Sequence, residues 1–152
     1  MKRIGNKRLN EIANTINDSM IETEELQIEN TVVLMLTIID TSSSQGQVIK
    51  INGQEDTKMN FTRNAAQEIY NAVRSNNISK DLVRTSLWTF SDNAKMIKSF
   101  AEEEESYEIP PLYPKGWTNL YESYVTIYKY LLENIHKCQN EGIRTYVIVN
   151  II

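Results

Sequence analysis

The pattern of hydrophobic and polar positions is dominated by Thr31 to Ser44, TVVLMLTIIDTSSS, an almost wholly apolar run that stops at one acid followed by a string of hydroxyls. Rich in Val and Ile and too short to span a bilayer, it reads as a central parallel strand covered on both faces. Asp40 then sits at the carboxyl end of that strand, outside which ligands collect in open α/β sheets. Upstream, Leu9, Ile12, Ala13, Ile16 and Met20 recur at spacings of three and four, which predicts an amphipathic helix. The acidic stretch Glu22 to Asn30 reads as a connector. The expected organisation is therefore a helix and connector over 1–29 and an α/β domain over 30–152.

The rest of the pattern alternates helix and strand. Between Ser44 and Asn60 the chain is polar, with Gly46 and Asn52-Gly53, and predicts a loop holding a small hairpin turn at Asn-Gly. Phe61, Ala65, Ile69 and Val73 form a helical stripe with Asn60 as its expected cap, ending near Ser75-Asn76-Asn77. Leu82 to Phe90, LVRTSLWTF, predicts a second strand, reached through a helix and so parallel to the first. Ser91 to Ala94 reads as a turn and Lys95 to Phe100 as an antiparallel edge strand, with Lys95 and Lys98 guarding the edge. Glu102 to Glu105 read as solvated surface. Tyr107 to Pro114 holds all three prolines and is expected to be extended. It leads through Lys115-Gly116-Trp117-Thr118-Asn119-Leu120 into a helix with Asn119 and Glu122 at capping spacing. Leu120, Tyr124, Ile127, Leu131 and Ile135 make its apolar face, and Gly142 stops it. Ile143 to Ile152 repeats the buried-strand pattern. The fold class is α/β, a Rossmann-like, mostly parallel central sheet flanked by helices.

Composition narrows the function. With 16 Lys plus Arg against 20 Asp plus Glu, net −4, and no basic stripe, nucleic acid is not the expected partner. A single cysteine, Cys138, excludes an intrachain disulfide and any thiolate cluster, and reads as a structural thiol near a helix end. His136, the one histidine, reads as a surface or packing residue. The basic N-terminus has no apolar segment behind it and no stretch approaches the roughly 20 apolar residues of a membrane span, so a soluble, cytoplasmic protein without a membrane partner is the expectation. No Walker loop or nucleotide-type glycine fingerprint occurs.

Asp40-Thr41-Ser42-Ser43-Ser44 places one carboxylate and two hydroxyls at every second position, so an extended turn points all three oxygens to one side. Hard oxygen ligands suit Mg²⁺, Mn²⁺ or Ca²⁺. The alternative at this stage is a Ser-rich turn in which Asp40 caps a backbone amide.

These residues resemble the von Willebrand factor type A domain, whose metal-ion-dependent adhesion site begins with D-x-S-x-S after the first strand. The family's further landmarks follow in order: a helix at Phe61 to Ser75, Thr89-Phe90-Ser91-Asp92 closing a strand, the loop Gly116-Trp117-Thr118-Asn119-Leu120, a helix and a strand. By position Asp40, Ser42 and Ser44 match the first ligand loop and Thr118 the second. The resemblance implies a non-enzymatic interaction module in which the ion held by these residues takes a carboxylate from a partner protein. Trp117 stands where many relatives have a second glycine, and Gln45 where methionine is usual. Both are expected to border the partner. The family's third loop, generally Thr-Asp-Gly, follows the strand that Asn150-Ile151-Ile152 completes. The expectation is thus a partial form of a longer domain, or a sheet completed by another chain or copy through the exposed C-terminal strand. Two other classes stand beside this one. The first is an Mg²⁺-dependent phosphate-transfer enzyme with Asp40 as nucleophile, although phosphatases of the haloacid-dehalogenase type place an acid where Ser42 stands. The second is a degenerate domain that binds partners without metal.

Overall fold

The computed structural model describes residues 30–100 and 106–152. The helix and connector expected over 1–29 and the glutamate run lie outside the described residues. The elements are β1 (Thr31–Asp40), β2 (Val48–Ile51), β3 (Gln54–Thr57), α1 (Lys58–Ser75), a single helical turn α2 (Ser79–Leu82), β4 (Val83–Phe90), β5 (Ala94–Lys98), α3 (Leu120–Asn140) and β6 (Arg144–Ile151). Four strands form the main sheet in the order β5-β4-β1-β6, and β2 and β3 form a separate hairpin. β1 and β4 are parallel, in register from Val33 opposite Val83 to Asp40 opposite Phe90. At β6, Ile152 N–H donates to Ile38 O at 3.0 Å and Ile152 O accepts from Asp40 N at 3.2 Å, the slanted pattern of a parallel pair. Within this sheet of the described residues, β5 runs antiparallel to β4. This is a mixed α/β fold with a mostly parallel sheet flanked by helices.

The continuous apolar run of β1 is explained by what covers it. Its even positions, Val32, Leu34, Leu36 and Ile38, pack with Trp88 and Phe90 of β4 and with Ile127, Leu131 and Cys138 of α3. Ile39 points to the other face, where it meets Leu87, Ile109 and Met59 and Ala66 of α1. A strand with helices on both sides has no polar face to show, and the period of two is lost from its sequence. Cys138 is buried in this core near the end of α3, as its position in the sequence indicates. His136 is exposed.

Several local expectations are corrected. α1 begins earlier than its apolar stripe: Thr57, not Asn60, is the cap, its Oγ1 accepting Asn60 N–H at 3.1 Å. At the start of α3, the Asn119 side chain does not cap the backbone but donates from Nδ2 to Glu122 Oε2 at 2.9 Å, and Leu120 is exposed because it precedes the stretch of helix that lies on the sheet. Lys98 does not guard an edge. It is 1% exposed, its Nζ donates to Thr85 O and Ser99 O at 3.1 and 3.2 Å, and it lies 5.8 Å from the centre of the Tyr107 ring. The sequence carries the lysine, but only the fold brings the carbonyls that make burial of its head tolerable. β6 departs from its buried-strand pattern but agrees with the exposed C-terminal strand expected: Tyr146, Val147, Ile148, Val149 and Ile151 are exposed, because β6 ends the sheet and the helices cover the strands inward of it.

Other turn signals hold. Asn52 and Gly53 take φ of 51° and 85°, the left-handed pair that a two-residue hairpin requires. Gly142, at φ 73°, closes α3 with Gly142 N–H on Gln139 O and Ile143 N–H on Cys138 O. The proline segment is extended and held on α1, where Gln67 accepts Ile109 N–H at 2.7 Å and donates to Tyr107 O at 2.8 Å.

The two kinds of contribution separate on denaturation. Leu36→Ala, at a side chain 1% exposed, is expected to lower stability by about 2–5 kcal/mol through transfer and cavity terms. Thr57→Ala, which removes only the α1 cap, should lose about 1 kcal/mol. Urea titration followed by circular dichroism checks both.

Candidate metal centre

Parallel pairing brings the carboxyl ends of β4, β1 and β6 to one edge, and the candidate site forms there. The loop after β1 is anchored by Thr41, whose N–H and Oγ1 both donate to Phe90 O, at 2.8 and 3.0 Å, while its carbonyl accepts Lys115 N–H at 2.9 Å. Thr41 and Ser42 are buried. Asp40 Oδ1 accepts Ser42 N–H at 2.8 Å, the Asx-type contact weighed from sequence, and its Oδ2 lies 3.4 Å from Gln45 Nε2.

After Ser42 the chain is not extended. Ser43–Gly46 make a 3₁₀ turn, with Gln45 N–H on Ser42 O at 3.0 Å. The extended turn expected from the alternation is therefore corrected to a 3₁₀ turn. The tight turn folds Ser44 back, and the Ser42 and Ser44 hydroxyl oxygens come to 3.2 Å. Neighbouring ligands of an octahedral ion at about 2.0–2.1 Å stand about 3.0 Å apart, so this spacing fits two oxygens on one hard divalent cation. The Asp40 carboxylate accepts the Ser42 backbone N–H, and with the two hydroxyls it would make an all-oxygen donor set. Among the described residues no three His, Cys, Asp or Glu side chains gather as a metal-holding group. A cation here would depend on hydroxyls and water, with Asp40 as the charged ligand.

The second loop is tied to the first. Gly116 O accepts both Ser43 N–H, at 3.1 Å, and Ser43 Oγ, at 2.9 Å. Gly116 has φ 79°, and Trp117 N–H donates to Asp92 Oδ1 at 2.8 Å. Asn119 N–H donates to Ser91 O at 2.7 Å. Thr118 is exposed on this loop, two residues beyond the carbonyl that holds Ser43. Asp40, Ser42, Ser44 and Gln45 are thus brought together directly, and Thr118 belongs to a loop fastened to theirs. Trp117 is 84% exposed, which excludes a core position for its ring. Sequence reasoning missed the parts played by Thr41, Ser43 and Asp92. The Thr after Asp40 and a Phe-Ser-Asp strand end are visible in the sequence, but their hydrogen bonds join segments far apart in the chain.

No protein-family model matches the chain, and no curated protein matches it. Among solved structures, the crystal structure of an uncharacterized membrane spanning protein from Vibrio fischeri is similar at 16% identity with a TM-score of 0.48, covering 68% of this chain and 50% of that one. This chain therefore spans half the length of that protein. Among the described residues no helix is long and apolar enough to cross a membrane.

The two tryptophans should report on different environments, with Trp117 at 84% and Trp88 at 6% exposure. Acrylamide is expected to quench one accessible component of the native fluorescence. That component should disappear in Trp117→Phe, leaving the shielded emission of Trp88.

Proposed function

We propose that this chain is a metal-ion-dependent protein interaction module with a von Willebrand factor type A-like fold. A divalent cation, Mg²⁺ or alternatively Mn²⁺ or Ca²⁺, would be held by Asp40, Ser42, Ser44 and Thr118. The ion's chemistry at such a site is that of a Lewis acid toward a carboxylate of a partner protein. The single observation that carries the reading is the 3.2 Å approach of the Ser42 and Ser44 hydroxyls beside the Asp40 carboxylate, at the carboxyl edge of parallel strands. The exposed Trp117 indole and Gln45 border this site and supply apolar and amide contacts for the partner. A site with one charged protein ligand leaves half of a divalent cation's charge to be balanced from outside, which favours an acidic group. The module binds rather than turns over substrate.

Isothermal titration with Mg²⁺ and Mn²⁺ tests this directly. Wild type is expected to bind one ion, and Asp40→Ala to lose binding while keeping its circular dichroism. No heat from a folded wild type would sink the metal-dependent reading and leave a metal-free interaction domain. Release of phosphate from a phosphate monoester that depends on Asp40 would favour the enzyme reading instead.

Self-association through β6 belongs to the same proposal. Its apolar residues lie at an open edge, the condition under which strands pair between chains. Sedimentation velocity should show association that rises with concentration in wild type and is suppressed when Val147 and Val149 are both replaced by Lys. A monomeric wild type at high concentration would contradict it.

A further inference from the structure

The side chain of Asp92 has no part in the ligand set proposed above, yet its carboxylate engages the backbone of the second loop. Its Oδ1 accepts Trp117 N–H at 2.8 Å, and the neighbouring Ser91 carbonyl accepts Asn119 N–H at 2.7 Å. The turn after β4 therefore grips the loop on both sides of Thr118. Gly116 completes the arrangement: a Cβ built there would stand 2.7 Å from Asp92 Cγ, so a side chain at 116 and the carboxylate cannot share this space. The positive φ of Gly116 adds a second reason for glycine, since it turns the Trp117 N–H toward β4 while the Gly116 carbonyl points back to Ser43.

We infer that Asp92 is the positioning residue of the Gly116–Asn119 loop, a latch that holds Thr118 in place beside the Asp40 loop without itself being a ligand. The carboxylate acts through hydrogen-bond acceptance by Oδ1, so what the latch requires is an acceptor oxygen at that place. Its relevance to the ion rests on the metal reading given above, whereas the latch itself does not. If the latched loop is the binding-competent one, a variant that populates it less will show a proportionally weaker apparent affinity.

The test uses the full chain as wild type, Asp92→Ala, Asp92→Asn and Gly116→Ala. Asn keeps an acceptor oxygen in the same place and discards the charge. Hydrogen exchange at the Trp117 amide, read by NMR, is the metal-free measurement, and Mg²⁺ titration is run on the same samples. Exchange at Trp117 is expected to accelerate about tenfold in Asp92→Ala, the factor that corresponds to losing a hydrogen bond of about 1.4 kcal/mol. Gly116→Ala should accelerate it as well, and Asp92→Asn should restore protection to within about threefold of wild type. Mg²⁺ affinity should follow the same order, with Asp92→Ala weaker by about tenfold.

Unchanged Trp117 exchange in Asp92→Ala would overturn the latch. Loss in Asp92→Asn as large as in Asp92→Ala would overturn it too, by showing that the charge rather than the acceptor matters. Altered exchange with unaltered Mg²⁺ binding would overturn the positioning role. A wild type that binds no Mg²⁺ at all would remove the metal reading, and the exchange data alone would then decide the latch.

Discussion

Burial of β1 on both faces is the constraint from which the rest follows. A strand with no solvated side must have its backbone hydrogen bonds met by neighbouring strands, and here β4 and β6 meet them in parallel. Parallel neighbours place their carboxyl ends together. The Asp40 loop, the Ser91-Asp92 turn and the last residues of the chain converge at one edge for that reason. The loops at this edge then have few ways to satisfy their own backbone groups except through one another. Thr41 illustrates the point, joining Phe90 and Lys115 through three hydrogen bonds made by one residue.

The two faces of the sheet are not alike. Against α3 the core is apolar and aromatic, with Trp88 and Phe100 both packed on Tyr130 at ring-centre distances of 5.1 and 5.5 Å. The margin of the sheet, where β5 pairs with β4, contains more polar atoms. Lys98 donates to backbone carbonyls, Ser86 Oγ donates to Lys98 O at 2.7 Å, and Trp88 Nε1 donates to Ser86 Oγ at 3.2 Å. Such a network costs desolvation but specifies its geometry, since each member is held by a particular partner. It also fixes the register of β5 against β4 where the pairing is irregular, between Leu87 and Trp88.

At the site edge the balance is reversed, toward exposure. Asp92, Trp117 and Thr118 are open to solvent while the residues that anchor their loops, Thr41 and Ser42, are buried. In this division the buried anchors limit the freedom of the loops while their outer side chains stay in solvent.

What the sequence by itself determined was whatever depends on local chemistry or on burial along one element. The apolar run of β1, the Asn52-Gly53 turn, the Gly142 stop and the closeness of the Ser42 and Ser44 hydroxyls were legible because each rests on residues close together in the chain. What only the tertiary structure decided was everything set by distant neighbours. β6 carries the same apolar pattern as β1 yet is exposed, because its place at the end of the sheet is not encoded in its own residues. Lys98 reads as a surface cation yet is buried, and the Thr85 carbonyl that receives its head comes from the neighbouring strand. Asp92 reads as one residue of a turn, and only folding sets its carboxylate against the Trp117 amide, 25 positions along the chain.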